Sequence, residues 1–301
     1  MAQEMLTNPS QYSISNPLGR FSMRKSILTL SVAAALATPG LAAAQAAAAP
    51  APSPITGNMT IATDYRFRGI SQTYLGPAIQ GGIDYAHPSG FYIGNWNSNV
   101  ASQVYTGGSG IEMDFYGGFK KSFGDLGLDV GYIYYYYHNA EFTSAVDASK
   151  QKFDNQEVYI GASWKWLSAK LNYAISDYFG LNTTQAQGGY WTDQNNGFAQ
   201  LDPAGTMGKS KGTYYLDITA TYPVNDKLNV IGHYGMLNVK TYNELDYNDW
   251  KLGVTYDLSG WSLGASYIDT DAKTNWYYTG GAKGNKNTGE GTVVLSIGKT
   301  F

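Results

Sequence analysis

The sequence predicts an all-β protein: an antiparallel transmembrane β-barrel of about twelve strands, preceded by an export signal and an Ala/Pro linker. Three observations predict it. From Gly57 onward, runs of residues alternate apolar and polar side chains, the period-two mark of strands with two unlike faces. The links between runs alternate between tight turns and long loops. The last run, Gly291–Phe301, places Val293, Leu295, Ile297 and Phe301 on one face, with Lys299 interrupting them, and ends on an aromatic residue without a charged tail. A barrel's last strand must pair with its first to remove both edges.

Composition narrows the class. The chain has 301 residues, no Cys, 36 Gly and 26 Tyr against 11 Phe. The absence of Cys excludes disulfides and thiolate metal sites. A mean hydropathy of −0.29 excludes a helical membrane protein, but barrels escape such averages because their two faces cancel.

The N-terminus reads as a secretory signal over residues 23–44. Arg24 and Lys25, with Arg20, form a basic start, Ile27–Ala37 an apolar core, and Ala42-Ala-Ala44 a small-residue cleavage site after Pro39-Gly40. The core is too short to span a membrane. Met23 directly precedes the basic pair, which makes residues 1–22 a candidate mis-assigned extension. Removing residues 1–44 takes one acid (Glu4) and three bases from totals of 23 and 20, leaving a mildly acidic chain. Nucleic acid, which requires clustered Lys and Arg, is therefore not an expected partner. Residues 45–55 are the Ala/Pro linker, too poor in apolar content for a core, and residues 56–301 are the barrel.

The strands follow in order. In the first, Met59, Ile61, Thr63, Tyr65 and Phe67 alternate with Asn58, Thr60, Ala62, Asp64, Arg66 and Arg68. Ile79–Tyr85 is the second. Phe91–Asn99 is the third, with no clear facing. Ile111, Met113, Phe115, Gly117 and Phe119 oppose Glu112, Asp114, Tyr116 and Lys120. Leu126 to Tyr136 follows, then Val158 to Trp166 opposing Glu157, then Leu171–Ile175. Tyr214–Tyr222, Leu228–Met236, Trp250–Leu258 and Trp261–Tyr267 lead to the closing strand. Tight turns fall at His87–Gly90, Ser122–Asp125, Leu167–Ser168, Pro223–Asp226 and Leu258–Gly260. Long loops intervene, among them Ala101–Gly110, Asn139–Asp154, Phe179–Lys211 and Thr270–Glu290. Sorting of loops by length onto two rims is the outer-membrane pattern, tight on the periplasmic side and long outside. Trp164, Trp166 and Trp261 near tight turns, and Tyr134, Tyr136 and Trp250 near long loops, fit two aromatic girdles at the membrane interfaces.

Charge on the inner face is the main functional material. A charged side chain facing lipid at mid-bilayer costs about 2–4 kcal/mol, so alternation directs Asp64, Arg66, Arg68, Asp84, Glu112, Asp114, Glu157, Asp217 and Lys251 into the lumen. They either line a path or pair with each other and fill it, since a barrel of this size has a lumen only modestly wider than those that side chains plug. Small inner residues (Gly82, Gly118, Gly131, Gly161, Ser163) favour the open alternative. The loop Phe179–Lys211 either enters the lumen as a constriction or stands outside as a binding surface. The enzyme alternative, an outer-membrane lipid hydrolase, lacks support: His87, His138 and His233 do not cluster in sequence and no nucleophile-elbow motif is present. No metal-ligand spacing occurs. Asn243–Asp249 reads as a solvated acidic loop rather than a calcium site. Gly107–Gly110 and Gly280-Gly281 precede no helix, so they are not phosphate cradles, and no cofactor is expected.

Four segments carry a family resemblance: Thr60-Ile-Ala-Thr-Asp-Tyr-Arg-Phe-Arg-Gly-Ile-Ser-Gln-Thr73, Pro77–Tyr85, Gly90–Val100 and Glu112–Phe119. In order and spacing they resemble the TorF-type porin family of proteobacteria. The second half of the chain matches in pattern. The resemblance implies an outer-membrane barrel with passive transport of small hydrophilic solutes, and it places Asp64–Thr73 in the most family-like stretch. The partners it implies are the outer-membrane bilayer, the solutes, and the barrel-assembly machinery through the closing strand. A homo-oligomer remains open, trimers being common among general porins.

Overall fold

The computed structural model describes residues 53–301 except 109, 194 and 280–284. The extension, the signal and all but the last three residues of the linker lie outside the described residues.

Twelve strands form a closed antiparallel barrel in which every strand pairs with its sequence neighbours. They are β1 Ile55–Ala62, β2 Ala78–Ala86, β3 Phe91–Asn99, β4 Ile111–Phe123, β5 Leu126–Tyr137 and β6 Asn155–Trp164. Then come β7 Leu167–Ala174, β8 Tyr214–Pro223, β9 Leu228–Asn238, β10 Tyr247–Leu258, β11 Trp261–Thr270 and β12 Thr292–Thr300. The closing strand meets the first as expected: Asn58 faces Thr300 and Ala62 faces Ser296. Two further bonds, Gly57 N–H to the Phe301 carbonyl (2.7 Å) and Phe301 N–H to the Gly57 carbonyl (2.9 Å), extend this seam to the last residue. Lys299 faces outward at the rim with its ammonium over the Trp261 ring, 5.1 Å from the centroid, so its stem lies on the apolar face while its charge leaves it.

The barrel is inside-out relative to a protein folded in water. Ile83 and Leu252 expose 63% and 65% of their surface on the outer face, and Leu295, Ile160 and Val130 share that face. Glu112, Asp114 and Glu157 are each 1% exposed inside. An outer surface this apolar lacks the polar cover that keeps a soluble domain monomeric. Trp164, Trp166 and Trp261 stand outward near tight turns. Tyr134, Tyr136 and Trp250 stand outward near long loops.

Several boundaries differ from expectation, two of them with consequences for a turn and for the interior. The turn between β6 and β7 is Lys165–Trp166, not Leu167–Ser168, which already pair with Trp164 and Ser163. Lys165 has φ 55°, the left-handed start that two-residue hairpins require, and its ammonium sits 4.5 Å from the Trp164 ring centroid. The first strand ends at Ala62 rather than running to Arg68. The chain then turns into the barrel, and Tyr65 and Phe67, expected on the greasy outer face, are 1% and 8% exposed inside.

Candidate functional site

The interior is organised around a small hairpin inserted after β1. Arg66–Phe67 pairs with Ile70–Ser71. The connecting Arg68 and Gly69 have φ 49° and 78°, both left-handed as in the tight turn that suits a twisted two-strand ribbon. Gly69 is required twice over. A Cβ there would lie 2.3 Å from Thr270 Cγ2 and 2.7 Å from Asp249 Cβ, so the hairpin tip abuts the wall of β10 and β11. Asp64 locks the base: Arg66 Nε donates to Asp64 Oδ2 (2.6 Å) and Ser71 Oγ to Oδ1 (2.6 Å). Arg66 Nη1 lies within 3.1 Å of the carbonyl oxygens of Gly69, Thr288 and Glu290, tying the hairpin to the loop before β12.

Arg68 crosses to the opposite wall. Its Nη2 donates to Glu157 Oε2 on β6 (2.7 Å) and its Nη1 to the Tyr178 hydroxyl (3.1 Å). The guanidinium lies 4.7 Å from the Phe67 ring centroid and 4.5 Å from that of Tyr215. Asn155 completes Glu157 by donating to Oε1 (3.0 Å). On β4, Glu112 accepts from the Tyr65 hydroxyl and from Tyr137 (2.6 Å). Tyr105 donates to Gln72 Oε1 (2.6 Å), continuing the phenol chain. Asp114 sits beside them with Oδ1 buried and unpaired among the described residues.

Asp64, Arg66 and Arg68 are therefore hairpin residues inside the barrel, not wall residues. Asp84, Glu112, Asp114, Glu157, Asp217 and Lys251 project inward from the wall. The hairpin gathers Glu112, Asp114 and Glu157 around itself; Asp84 lies nearer the tight-turn rim, accepting from Tyr116 (2.5 Å). The small inner residues leave less room than expected. A Cβ at Gly118 would meet the Tyr92 hydroxyl at 2.5 Å, and one at Gly131 the Tyr159 hydroxyl at 2.4 Å, because these rings lie flat across the glycines.

A second cluster joins Asp217, expected in the lumen, to residues that were not singled out from sequence. His233 Nε2 lies 2.9 Å from Asp249 Oδ1, and Nδ1 lies 3.0 Å from Thr219 Oγ1 and 3.6 Å from Asp217. Tyr215 donates to Asp249 Oδ2 (2.8 Å). Asp249, expected in a solvated loop, is in β10 and 2% exposed, because its parity is that of Lys251. Asp129, hydrogen-bonded by Tyr92 (2.7 Å), and Lys170, 5.0 Å from the Tyr159 centroid, also face inward. Parity within their strands is the signal that finds His233, Asp249, Asp129 and Lys170.

The long loop between β7 and β8 packs inward at its start. Phe179 meets Phe67 and Tyr135 at 5.5 and 5.4 Å between centroids. Beyond it, Leu181, Ala186 and Leu201 join Tyr242, Leu245 and Tyr277 of neighbouring loops in a buried cap. Outside the barrel wall, the Lys273 ammonium, hydrogen-bonded to Glu244 at 2.7 Å, holds that carboxyl below its ordinary value. Among the described residues no group of three or more His, Cys, Asp or Glu is placed to hold a metal ion.

Residues 45–301 match the model of a family described as "Bacterial protein of unknown function (Gcw_chp)". Comparison with curated protein sequences gives no match. Among solved structures, the NanC porin is similar at 11% identity and TM-score 0.47, over 82% of this chain and 98% of that one. The KdgM porin is similar at 9% identity and TM-score 0.45, over 82% and 98%. The outer membrane channel DcaP of Acinetobacter baumannii is more distant, at 13% identity and TM-score 0.36 over 79% and 65%. At these values nothing about a transported solute comes across.

Proposed function

The chain belongs to the Gcw_chp family of bacterial proteins, and from that premise we propose that it is an outer-membrane porin for small hydrophilic solutes or ions. The observation that carries this reading is the inverted polarity of a closed barrel, with Ile, Leu, Val and aromatic side chains outward and charge inward. Such a wall is stable in lipid because closure leaves no unpaired strand edge. Towards the tight-turn rim the inner face carries the uncharged, partly accessible Asn58, Ser262 and Thr255 beside the charged Asp84, Asp129 and Lys170. Towards the long-loop rim the Asp64–Thr73 hairpin narrows the interior. The paired charges there, Arg66 with Asp64 and Arg68 with Glu157, set a polar constriction beside the buried Glu112 and Asp114, which favours polar or zwitterionic cargo over apolar molecules.

Planar-bilayer recording of the refolded mature chain tests the reading. Discrete, salt-dependent steps are expected. Arg66→Ala with Arg68→Ala should shift the reversal potential towards cation selectivity, and an unchanged potential counts against these residues flanking the path. A second reading, a plugged barrel acting through its loops as a binding or adhesion surface, is favoured by the burial of the hairpin and the loop cap. A folded barrel that never conducts selects it.

A further inference from the structure

On the outer face, polar side chains sit at strand ends, as Gln156, Asn248 and Lys299 do. Among the described residues β3 is the exception. Asn95, its middle residue, and Asn97 point outward between apolar or glycine neighbours: Ile83 and Phe115 flank Asn95, and Gly81 and Met113 flank Asn97. This is why the third strand shows no clear facing in the sequence.

The two amides pair in part. Asn97 Nδ2 donates to Asn95 Oδ1 (2.6 Å) and lies 3.4 Å from the Gly81 carbonyl; Asn95 Nδ2 donates to the Asp114 carbonyl (2.9 Å). That leaves Asn97 Oδ1 without a donor among the described residues and one N–H of Asn95 without an acceptor. Hydrocarbon supplies neither, and an amide left unpaired in it is costly. A lipid headgroup would be met at the rim by charged side chains, not by amides in the middle of a strand.

We propose that the Gly81–Asn95–Asn97 patch is a contact face between two copies of this barrel. The inference rests on the membrane-spanning reading above. Copies in one membrane are related by an axis perpendicular to it, which brings each residue opposite its own counterpart at the same depth. Only a self-complementary group gains from that meeting. Asn donates and accepts, so the spare donor and acceptor of these amides can be met by the same amides of the second copy across a two-fold axis. Gly81, with outward-facing Gly117 on β4, keeps the surface low, and small residues are what allow membrane segments to approach closely.

The chain has no cysteine, so single cysteines report the contact cleanly. The full chain is expressed in a Gram-negative host as Met113→Cys, the outward neighbour of Asn97 on β4, and as Leu252→Cys on the uncovered face of β10. Outer membranes are treated with a permeant oxidant, and folding is read from the gel shift between unheated and boiled samples. A disulfide-linked dimer of Met113→Cys and none of Leu252→Cys is expected, as is loss of the detergent-extracted dimer in a folded Asn95→Leu/Asn97→Leu variant. Equal dimer from both cysteines, none from Met113→Cys, a cross-link to a different protein, or a double variant that stays dimeric would each overturn the contact face. A folded membrane barrel without the cross-link defeats this inference alone. Absence of folded protein from the membrane defeats the membrane-spanning reading as well.

Discussion

Arg68 shows what the interior demands of single residues. Its guanidinium is 4% exposed at the residue level, and one carboxylate, one phenol and the aromatic faces around it replace the water it has lost. A desolvated cation over an aromatic ring gains about 2 kcal/mol, but neutralisation by Glu157 matters more. Removing one partner of a buried ion pair costs about 3–5 kcal/mol, because the other is left charged and unpaired. Glu157→Gln should therefore destabilise the refolded barrel by about that amount, while Arg68→Met/Glu157→Leu loses much less. Urea unfolding in micelles measures both, and additive losses would remove the pairing argument. The wall positions of Asp84, Glu112, Asp114, Glu157, Asp217 and Lys251 were legible because charge is excluded from lipid and alternation then fixes the side. Lys170, Asp129 and His233 obey the same rule but were hidden among more conspicuous apolar neighbours. The pairing of Arg68 with Glu157 was not legible, since it joins residues 89 positions apart through a change of direction.

The inserted hairpin explains that change of direction. Alternation continues from Met59 through Phe67, so the sequence gives no visible stop at Ala62. The stop is chemical: Asp64, Ser71 and Thr73 close on one another, and Arg68-Gly69 supplies two left-handed residues for the reversal. No barrel strand depends on the hairpin for its pairing. Replacing residues 64–76 by a short Gly/Ser linker should thus leave a folded, heat-modifiable barrel whose single-channel conductance rises several-fold. Unchanged conductance would mean that the loop cap, not the hairpin, limits passage. Tyr92 and Tyr159 teach a related lesson. A glycine in a strand reads as empty space, yet Gly118 and Gly131 serve as beds for rings from neighbouring strands.

Across the whole molecule, strand number, closure and the sorting of loops were legible because they are set by periodicity and turn chemistry, which are local. The filling of the interior is set by contacts between distant segments, and periodicity says nothing of these. Trp96, whose ring lies edge-on to Tyr65 at 5.5 Å, is a reporter of that filling.

The hairpin is rooted one residue beyond the seam, on the strand that must find its partner some 240 positions later. Bringing distant segments together is the slow part of folding. The chain therefore faces a problem of sequence in time: a cylinder that zips shut first would have to admit its filling afterwards through an end already crowded by loops. Closure and filling should instead be one event, with the hairpin swung inward as the seam forms. In a variant retaining only Trp96, its fluorescence change during refolding should share a rate with the appearance of the heat-resistant band. A slower fluorescence phase would mean that the barrel closes empty and is stoppered later.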